Sequence, residues 1–185
     1  MVAEKGTFWS KIHVHGTPGH GSQPFRTDNA LVTAAEVVRR LSEYRPTADI
    51  GEVWRRHVDA MDYPADLRDA FLDPDAVRDF CHSLPLGMGR LVHACTHTTF
   101  SPNVAHGGTK TNVVPDHVEL EVDIRTLPGQ SGDDIRDMLR DALGDLYDAV
   151  DIESNEDLST ASPIDTPLWD TLSTVSERLV KDSAL

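Results

Sequence analysis

The sequence predicts an α+β fold of the ferredoxin-like type, β-α-β-β-α-β, with a four-stranded antiparallel sheet and two helices on one of its faces. Three stretches alternate between apolar and polar side chains, as half-buried strands do, and a fourth short strand follows the last helix. Two further stretches repeat their apolar positions at helical spacing. The six elements are predicted, in order, at residues 7–16, 28–45, 93–104, 117–127, 131–148 and 149–154.

The clearest strand is the one predicted at 117–127, where four apolar residues share one face and four charged residues share the other. Each core helix has its own start signal. Asp28 is the expected N-cap of the first helix. Ser131, followed by Asp134 three residues later, gives the second helix a start that resembles a capping box.

Residues 47–91 interrupt this pattern with a compact helical insertion. Prolines separate three short helical stretches within it. Trp54, Phe71 and Phe80 are expected to form a small core of their own. The three stretches are predicted at residues 52–61, 65–72 and 75–84.

The chain is predicted to have three parts. Residues 1–5 are expected to be a linker, and residues 6–157 are expected to form the α+β domain. Residues 158–185 are expected to form a connector and the first helix of a second, truncated domain. This helix, predicted at 166–180, has an apolar stripe that the α+β domain has no element to cover.

Charge and composition exclude several kinds of partner. The formal net charge of −14 disfavours phosphate backbones and anionic membrane surfaces, so neither nucleic acid nor a membrane is an expected partner. No apolar run is long enough to span a bilayer, and the N-terminal residues do not resemble a signal peptide. Two cysteines, Cys81 and Cys95, do not make a disulfide framework, which fits a cytoplasmic protein.

The histidines do not form a recognisable metal motif. His13 and His15 share the polar face of the first strand, where solvated positions are favoured over a shared metal ion. His93 and His97 would be neighbours on a helix, but the alternation around them predicts a strand. The sequence has neither H-E-x-x-H nor a paired Glu-Glu, and it lacks the G-x-S-x-G turn of a serine nucleophile. No metal site is therefore predicted in this chain.

Two loops combine shaped backbone with polar side chains. Residues 19–24 (GHGSQP) contain His20, whereas residues 107–115 (GGTKTNVVP) contain Asn112 and precede the strand that carries Arg125. An imidazole, an amide and a guanidinium are the groups that hold a carboxylate or stabilise an oxyanion. Composition alone still favours simple turn chemistry for both loops.

Four motifs occur in a fixed order on the predicted elements: HGTPGHGSQP, DNAL, GGTKTNVVP and VELEVDIRTLPG. Together they resemble the lid, or dimerisation, domain of the dinuclear-zinc aminoacylase, carboxypeptidase and succinyl-diaminopimelate desuccinylase family. The PGH-x-S form of the first motif is nearest the aminoacylase and carboxypeptidase S branch. The tail PIDTPLWDTLSTV resembles the segment where that family returns to its catalytic domain.

The resemblance implies roles for particular residues. His20 matches the lid histidine that stabilises the oxyanion in the active site of the partner subunit. Asn112 and Arg125 match the pair that binds the substrate carboxylate, and Gly107 and Gly108 would let the backbone approach the substrate. Full-length enzymes of this family bind two zinc ions in a separate catalytic domain and form homodimers through the lid. The metal ligands have no counterpart in this chain.

The expected function is therefore that of a dimerising, substrate-binding lid for the hydrolysis of N-acyl amino acids or small peptides. Because the zinc-binding half is missing, the chain alone is expected to be inactive. Two alternatives stay open. A free-standing ferredoxin-like regulatory module would bind a small ligand at a dimer interface, and a histidine-based metal-binding protein would carry stoichiometric zinc.

Overall fold

A computed structural model describes residues 3–179 of the chain. The strands are, in order, β1 (Ala3–Glu4), β2 (Gly6–His15), β3 (Gly19–His20), β4 (Thr99–Gly107), β5 (Val113–Val114), β6 (His117–Thr126), β7 (Val150–Asp157) and β8 (Thr160–Ala161). The helices are α1 (Ala30–Glu43), α2 (Glu52–Ala60), α3 (Ala65–Leu72), α4 (Val77–Ser83), α5 (Leu86–Thr96), α6 (Gly132–Leu143) and α7 (Pro167–Leu179), with a 3₁₀ helix at Gly144–Ala149.

The four long strands form one antiparallel sheet in the order β4-β6-β2-β7, and helices α1 and α6 cover one of its faces. This is the predicted ferredoxin-like arrangement, so the fold class is confirmed. Alternate residues of β2 and β6 enter the core between sheet and helices, which is the physical origin of their sequence pattern. The main core comprises Phe8, Ile12, Val14, Ala30, Ala34, Val37, Leu41, Val118, Leu120, Val122, Ile124, Ile135, Leu139, Leu143 and Val150.

Both core helices begin where a side chain satisfies their first free amides. Ser131 and Asp134 form the predicted capping box of α6, in which the Ser131 amide donates to Asp134 Oδ2 at 2.7 Å. The predicted cap of α1 was wrong by one residue. Asn29 is the N-cap, and its Oδ1 accepts from the amide two residues later at 3.0 Å. Asp28 lies before the helix, and its carbonyl accepts a hydrogen bond from the preceding loop.

The helical insertion folds around a core that is separate from that of the sheet. Trp54 and Phe71 are buried and Phe80 packs against this core, as predicted. The Trp54 indole donates to the Phe71 carbonyl at 2.9 Å, so the polar edge of the ring is also satisfied. The prediction of three helices was incomplete, because a fourth, α5, continues past the expected end of the insertion at residue 91.

The strand predicted at 93–104 was wrong in its first half, since α5 runs into it and β4 begins only afterwards. Val92 and Thr96, four residues apart, are both buried. This helical burial outweighs a short alternation of apolar and polar residues. His93 and His97 consequently stack with ring centroids 4.3 Å apart, as neighbours one helical turn apart do.

The N-terminal strand β1 pairs with β8 as a short antiparallel ladder, which joins residues 3–4 to residues 160–161. A side chain at Gly6 would lie 2.2 Å from the Ser159 nitrogen, so only glycine fits where the two segments pass. Helix α7 follows, and none of its residues is buried. Parts of two predicted segments, residues 1–2 and 180–185, lie outside the described residues.

Candidate functional site

A two-stranded ladder holds two of the predicted site residues side by side. Strand β3 pairs with β5 so that His20 lies opposite Val113. The Gly21 amide then donates to the Asn112 carbonyl at 2.8 Å, which places His20 and Asn112 at one end of the domain. These strands were missed in the sequence because each has only two residues, too few to show a period.

Two contacts orient the exposed His20 imidazole. The Ser22 amide donates to Nδ1 at 3.2 Å, and the Ser22 hydroxyl lies 2.7 Å from the same atom. Because Nδ1 accepts from a backbone N–H, the proton of the neutral ring is assigned to Nε2. The neutral ring of His20 therefore carries its N–H donor on Nε2, and an N–H donor is the group that oxyanion stabilisation requires.

Gly107 and Gly108 each have a local reason to be glycine. A side chain at Gly107 would lie 2.6 Å from Val118 Cγ2 across the β4–β6 ladder. Gly108 has φ of +74°, in the left-handed region that residues with a side chain rarely adopt. The two residues end β4 and begin the loop that leads to Asn112. Their predicted approach to a substrate stays a prediction.

Arg125 lies on the face of the sheet that the helices leave open. Its Nε donates to Asp123 Oδ1 at 2.7 Å, and its Nη2 donates to Oδ2 at 3.2 Å. The guanidinium carbon is 5.9 Å from the ring centroid of Trp9, whose indole also donates to Asp123 at 3.1 Å. The Arg125 side chain is 40% exposed, so Asp123 orients the guanidinium while part of it stays accessible to solvent.

Arg125 is far from the other two candidates within one chain. It stands 125 − 117 = 8 residues after His117, where β6 begins. A strand rises about 3.4 Å per residue, which separates these two positions by roughly 27 Å. The ladder that holds His20 and Asn112 lies at the beginning of β6, because the loop before β3 is hydrogen bonded to the residue preceding β6. Only two of the three predicted residues are thus brought together.

A lysine that the sequence did not single out lies near Arg125. Burial lowers the pKa of Lys5 to about 8. The Arg125 charge acts in the same direction, whereas Cys95 and Asp123 oppose it. Lys5 Nζ donates to the His97 carbonyl at 2.8 Å. No local sequence pattern could have predicted this contact, because Lys5 and His97 are 92 residues apart and meet only where the chain passes from α5 to β4.

A histidine cluster occupies the open face near the beginning of β6. His13 Nδ1 lies 3.4 Å from His117 Nε2, and the two rings stack with centroids 5.6 Å apart. His15 Nε2 lies 3.0 Å from Asp151 Oδ2. Even so, residues 3–179 contain no group of three or more His, Cys, Asp or Glu side chains that could hold a metal ion. The donor set of this part of the chain does not fit zinc, and no reaction step is assigned to a metal here.

Known proteins share the sequence pattern and the fold of this domain. The peptidase dimerisation domain of M20 peptidases matches residues 2–151, and because this is most of the 185 residues, the chain belongs to that family. The resemblance noted in the sequence is thereby confirmed. The family consists of hydrolases of the metallopeptidase class and includes carboxypeptidases.

This chain matches one part of each of several longer relatives. It is 26% identical over 164 residues to the probable carboxypeptidase S-like 2 of Dictyostelium discoideum, covering 88% of this chain and 31% of the relative. It is 27% identical over 143 residues to acetylornithine deacetylase of Photorhabdus laumondii, covering 77% and 28%. The metallo-carboxypeptidase Sso-CP2 from Sulfolobus solfataricus has the same fold, with a TM-score of 0.62 at 12% identity over 96% of this chain and 43% of that one.

The chain thus spans about a third of the length of the curated relatives it matches. The alternative of a free-standing regulatory module receives no support from these relationships. Within residues 3–179, every helix is too short or too polar to cross a membrane.

Proposed function

We propose that this chain is the dimerising, substrate-binding lid of a zinc-dependent hydrolase of N-acyl amino acids or small peptides. Residues 6–157 would form the lid, and residues 158–185 would lead into the catalytic half. The observation that carries the proposal is the placement of His20 and Asn112 at one end of the sheet, with Arg125 on the open face near the other. This placement suits a site shared between two protomers.

The exposed apolar side chains of α7 support the division into lid and catalytic half. Surface helices with an apolar stripe need a cover, and within residues 3–179 no residue of α7 is buried. In our proposal the catalytic half covers them. The exposed residues are Leu168, Leu172, Val175 and Leu179.

The dimer would form through the β4 edge of the sheet. The two edge strands are β4 and β7. Strand β4 carries no carboxylate and exposes Val104, while α1, which packs beside it, exposes Leu31 and Val32. Strand β7 would repel a second copy, because like charges at a sheet edge prevent pairing. Its eight residues include Asp151, Glu153, Glu156 and Asp157.

A two-fold axis at the β4 edge would unite the three candidate residues. When β4 pairs antiparallel with its copy, opposite ends of the two sheets lie next to each other. His20 and Asn112 of one protomer would then face the same substrate as the partner's Arg125. The separation of roughly 27 Å along β6 within one chain is the reason that a single lid cannot assemble this site.

Each side chain would have one task. Arg125 would bind the substrate carboxylate by charge-assisted hydrogen bonds, with Asp123 orienting the guanidinium plane. Asn112 would donate its amide to the same carboxylate. His20 Nε2–H would donate to the scissile carbonyl oxygen as negative charge develops on it. This donor needs little reorganisation, because Ser22 already orients the ring.

The two zinc ions used by the family would be bound outside this chain, in the catalytic half. The isolated chain is therefore expected to hydrolyse no N-acyl amino acid, even with added zinc. Hydrolysis by the purified chain would contradict the proposal. A cytoplasmic location is also proposed, and it fits the two free cysteines, Cys81 and Cys95.

Sedimentation equilibrium of the purified chain tests the dimer edge. Wild type should dimerise, and Val104→Glu should raise the dimer dissociation constant by about tenfold or more, because two like charges then meet near the axis. The matched Asn155→Glu substitution on β7 should leave the constant unchanged. A monomeric wild type, or weakening by Asn155→Glu alone, would contradict the proposed edge.

Substrate chemistry tests the carboxylate site in a full-length hydrolase that carries this lid. The enzyme should hydrolyse an N-acyl amino acid far better than its methyl ester, because the ester lacks the charge that Arg125 would bind. Arg125→Ala should abolish this discrimination. Equal discrimination by wild type and variant would show that another residue binds the carboxylate.

A further inference from the structure

The loop that begins at His20 is a closed finger, defined here as residues 20–27. A side chain at Gly19 would lie 3.2 Å from Thr27 Cγ2, so the two ends of the loop touch at its base. A backbone hydrogen bond of 2.7 Å joins the segments just outside it. The finger therefore projects from the domain with both ends held.

A turn of unusual backbone conformation forms the tip of the finger. The Thr27 amide and hydroxyl both donate to the Pro24 carbonyl, at 3.3 Å and 2.8 Å, which makes Phe25 and Arg26 the central residues of a β-turn. Arg26 has φ of +59°. Glycine or asparagine is usual at such a position, because a side chain disfavours the left-handed region.

The turn holds the Phe25 ring out in solvent. Phe25 is 81% exposed, more than any other large hydrophobic residue in the described part of the chain. The guanidinium carbon of Arg26 lies 5.1 Å from the ring centroid. A strained backbone that exposes an aromatic ring gives the isolated domain no stability. This combination therefore indicates contact with another molecule.

We propose that Phe25 contacts the acyl group of the substrate in the partner subunit's active site, where it favours large apolar acyl groups over acetyl. The inference rests on the proposed role of His20. An imidazole that reaches the scissile carbonyl oxygen carries the finger next to the acyl group, because that group is bonded to the same carbon. Phe25 is the large apolar side chain of the finger, so it is the one that gains from covering an alkyl chain.

The test uses a full-length hydrolase with this lid and the N-acetyl, N-butanoyl and N-octanoyl derivatives of one amino acid. Phe25→Ala should lower kcat/KM for the octanoyl substrate by about tenfold or more, mainly through KM, and change the acetyl value by less than about twofold. Phe25→Leu should recover most of the octanoyl activity. Leu86→Ala, which alters another exposed apolar side chain on α5, should leave the octanoyl-to-acetyl ratio unchanged.

Two results would overturn the proposal. An equal loss for all three substrates would show that the ring seats the finger without touching the acyl group. An unchanged octanoyl-to-acetyl ratio in Phe25→Ala would show that the ring contributes no preference. His20→Ala distinguishes failure of the His20 role from failure of the Phe25 contact. Full activity in that variant would overturn the role of His20, whereas the acyl preference is measured by comparing wild type with Phe25→Ala.

Discussion

At one end of the sheet, two short strands hold His20 beside Asn112 through backbone hydrogen bonds. Near the other end, ionic contacts prevail: Asp123 orients Arg125, and Lys5 lies nearby with its pKa lowered to about 8 by burial. An oriented N–H donor suits a developing oxyanion, and a guanidinium suits a full carboxylate. The two kinds of group lie at opposite ends of one chain, which is why our proposal requires a second protomer to bring them to one substrate.

Removing the imidazole should have the largest effect. In the full-length hydrolase, His20→Ala should lower kcat by about 10²–10³, roughly 3–4 kcal/mol, because the oxyanion loses an oriented donor. KM should change little, since the interaction forms mainly in the transition state. Steady-state kinetics provide the measurement, with His15→Ala as an exposed histidine control. A loss below about tenfold would remove His20 from the proposed role.

Replacing the guanidinium should affect binding more than turnover. Arg125→Lys should raise KM for a substrate with a free carboxylate by about 10- to 30-fold, because an ammonium cannot form the two parallel hydrogen bonds of the fork. The value of kcat should stay within about threefold of wild type. Steady-state kinetics would give both constants. A change in kcat alone would place Arg125 closer to the reacting carbonyl than the account allows.

Acid should weaken the Arg125 end of the domain through His97, whose carbonyl accepts from Lys5. Burial, aided by His93 and Arg78, lowers the pKa of His97 from the usual 6.5 to about 4. Between these values the unfolded chain binds a proton that the folded chain does not. The contribution of His97 to the free energy of unfolding should therefore fall by about 1–3 kcal/mol as the pH drops from 6.5 to 4.

Urea unfolding at several pH values measures this slope. His97→Asn should flatten it, because the titrating group is gone, and His106→Asn, at an exposed position on β4, should keep the wild-type slope. An unchanged slope in His97→Asn would assign the acid sensitivity to other groups.

The smallest effect is expected from the residue that orients the imidazole. Ser22→Ala should lower kcat of the full-length hydrolase by about three- to fivefold, because the hydroxyl contact to His20 is lost while the Ser22 amide still donates to Nδ1. Ser83→Ala in the insertion is the matched control. A loss as large as that of His20→Ala would mean that Ser22 itself contacts the substrate.

The sequence was sufficient for elements that carry their own pattern. Strand β6 alternates along its whole length, so its bounds were predicted closely. Helix α6 begins at the predicted capping box of Ser131 and Asp134, but it ends at Leu143, five residues before the predicted end, and a 3₁₀ helix follows at Gly144–Ala149. The individual motifs also identified His20, Asn112 and Arg125 as candidates. Their roles remain predictions, because no contact within one chain joins all three.

Other features depend on residues distant in sequence. Helix α5 was missed because the residues from 93 onward alternate between apolar and polar, as a strand does. Its buried residues Val92 and Thr96 are spaced for a helix, and Val92 packs into the core of the insertion, which the local sequence does not reveal. The β3–β5 ladder was missed because pairing between residues 19–20 and 113–114 leaves no local period. The separation of Arg125 from His20 follows from strand direction, which a motif search does not consider.

Subunit mixing tests the shared site most directly. At a substrate concentration well below KM, full-length His20→Ala and Arg125→Ala proteins should each retain little activity. After subunit exchange about half of the dimers should be mixed, each with one intact site, so about one quarter of the wild-type activity should return. Mixing His20→Ala with Asn112→Ala should restore nothing, because one protomer supplies both residues. No recovery in the first mixture, with mixed dimers verified by native mass spectrometry, would contradict a site shared across the two-fold axis.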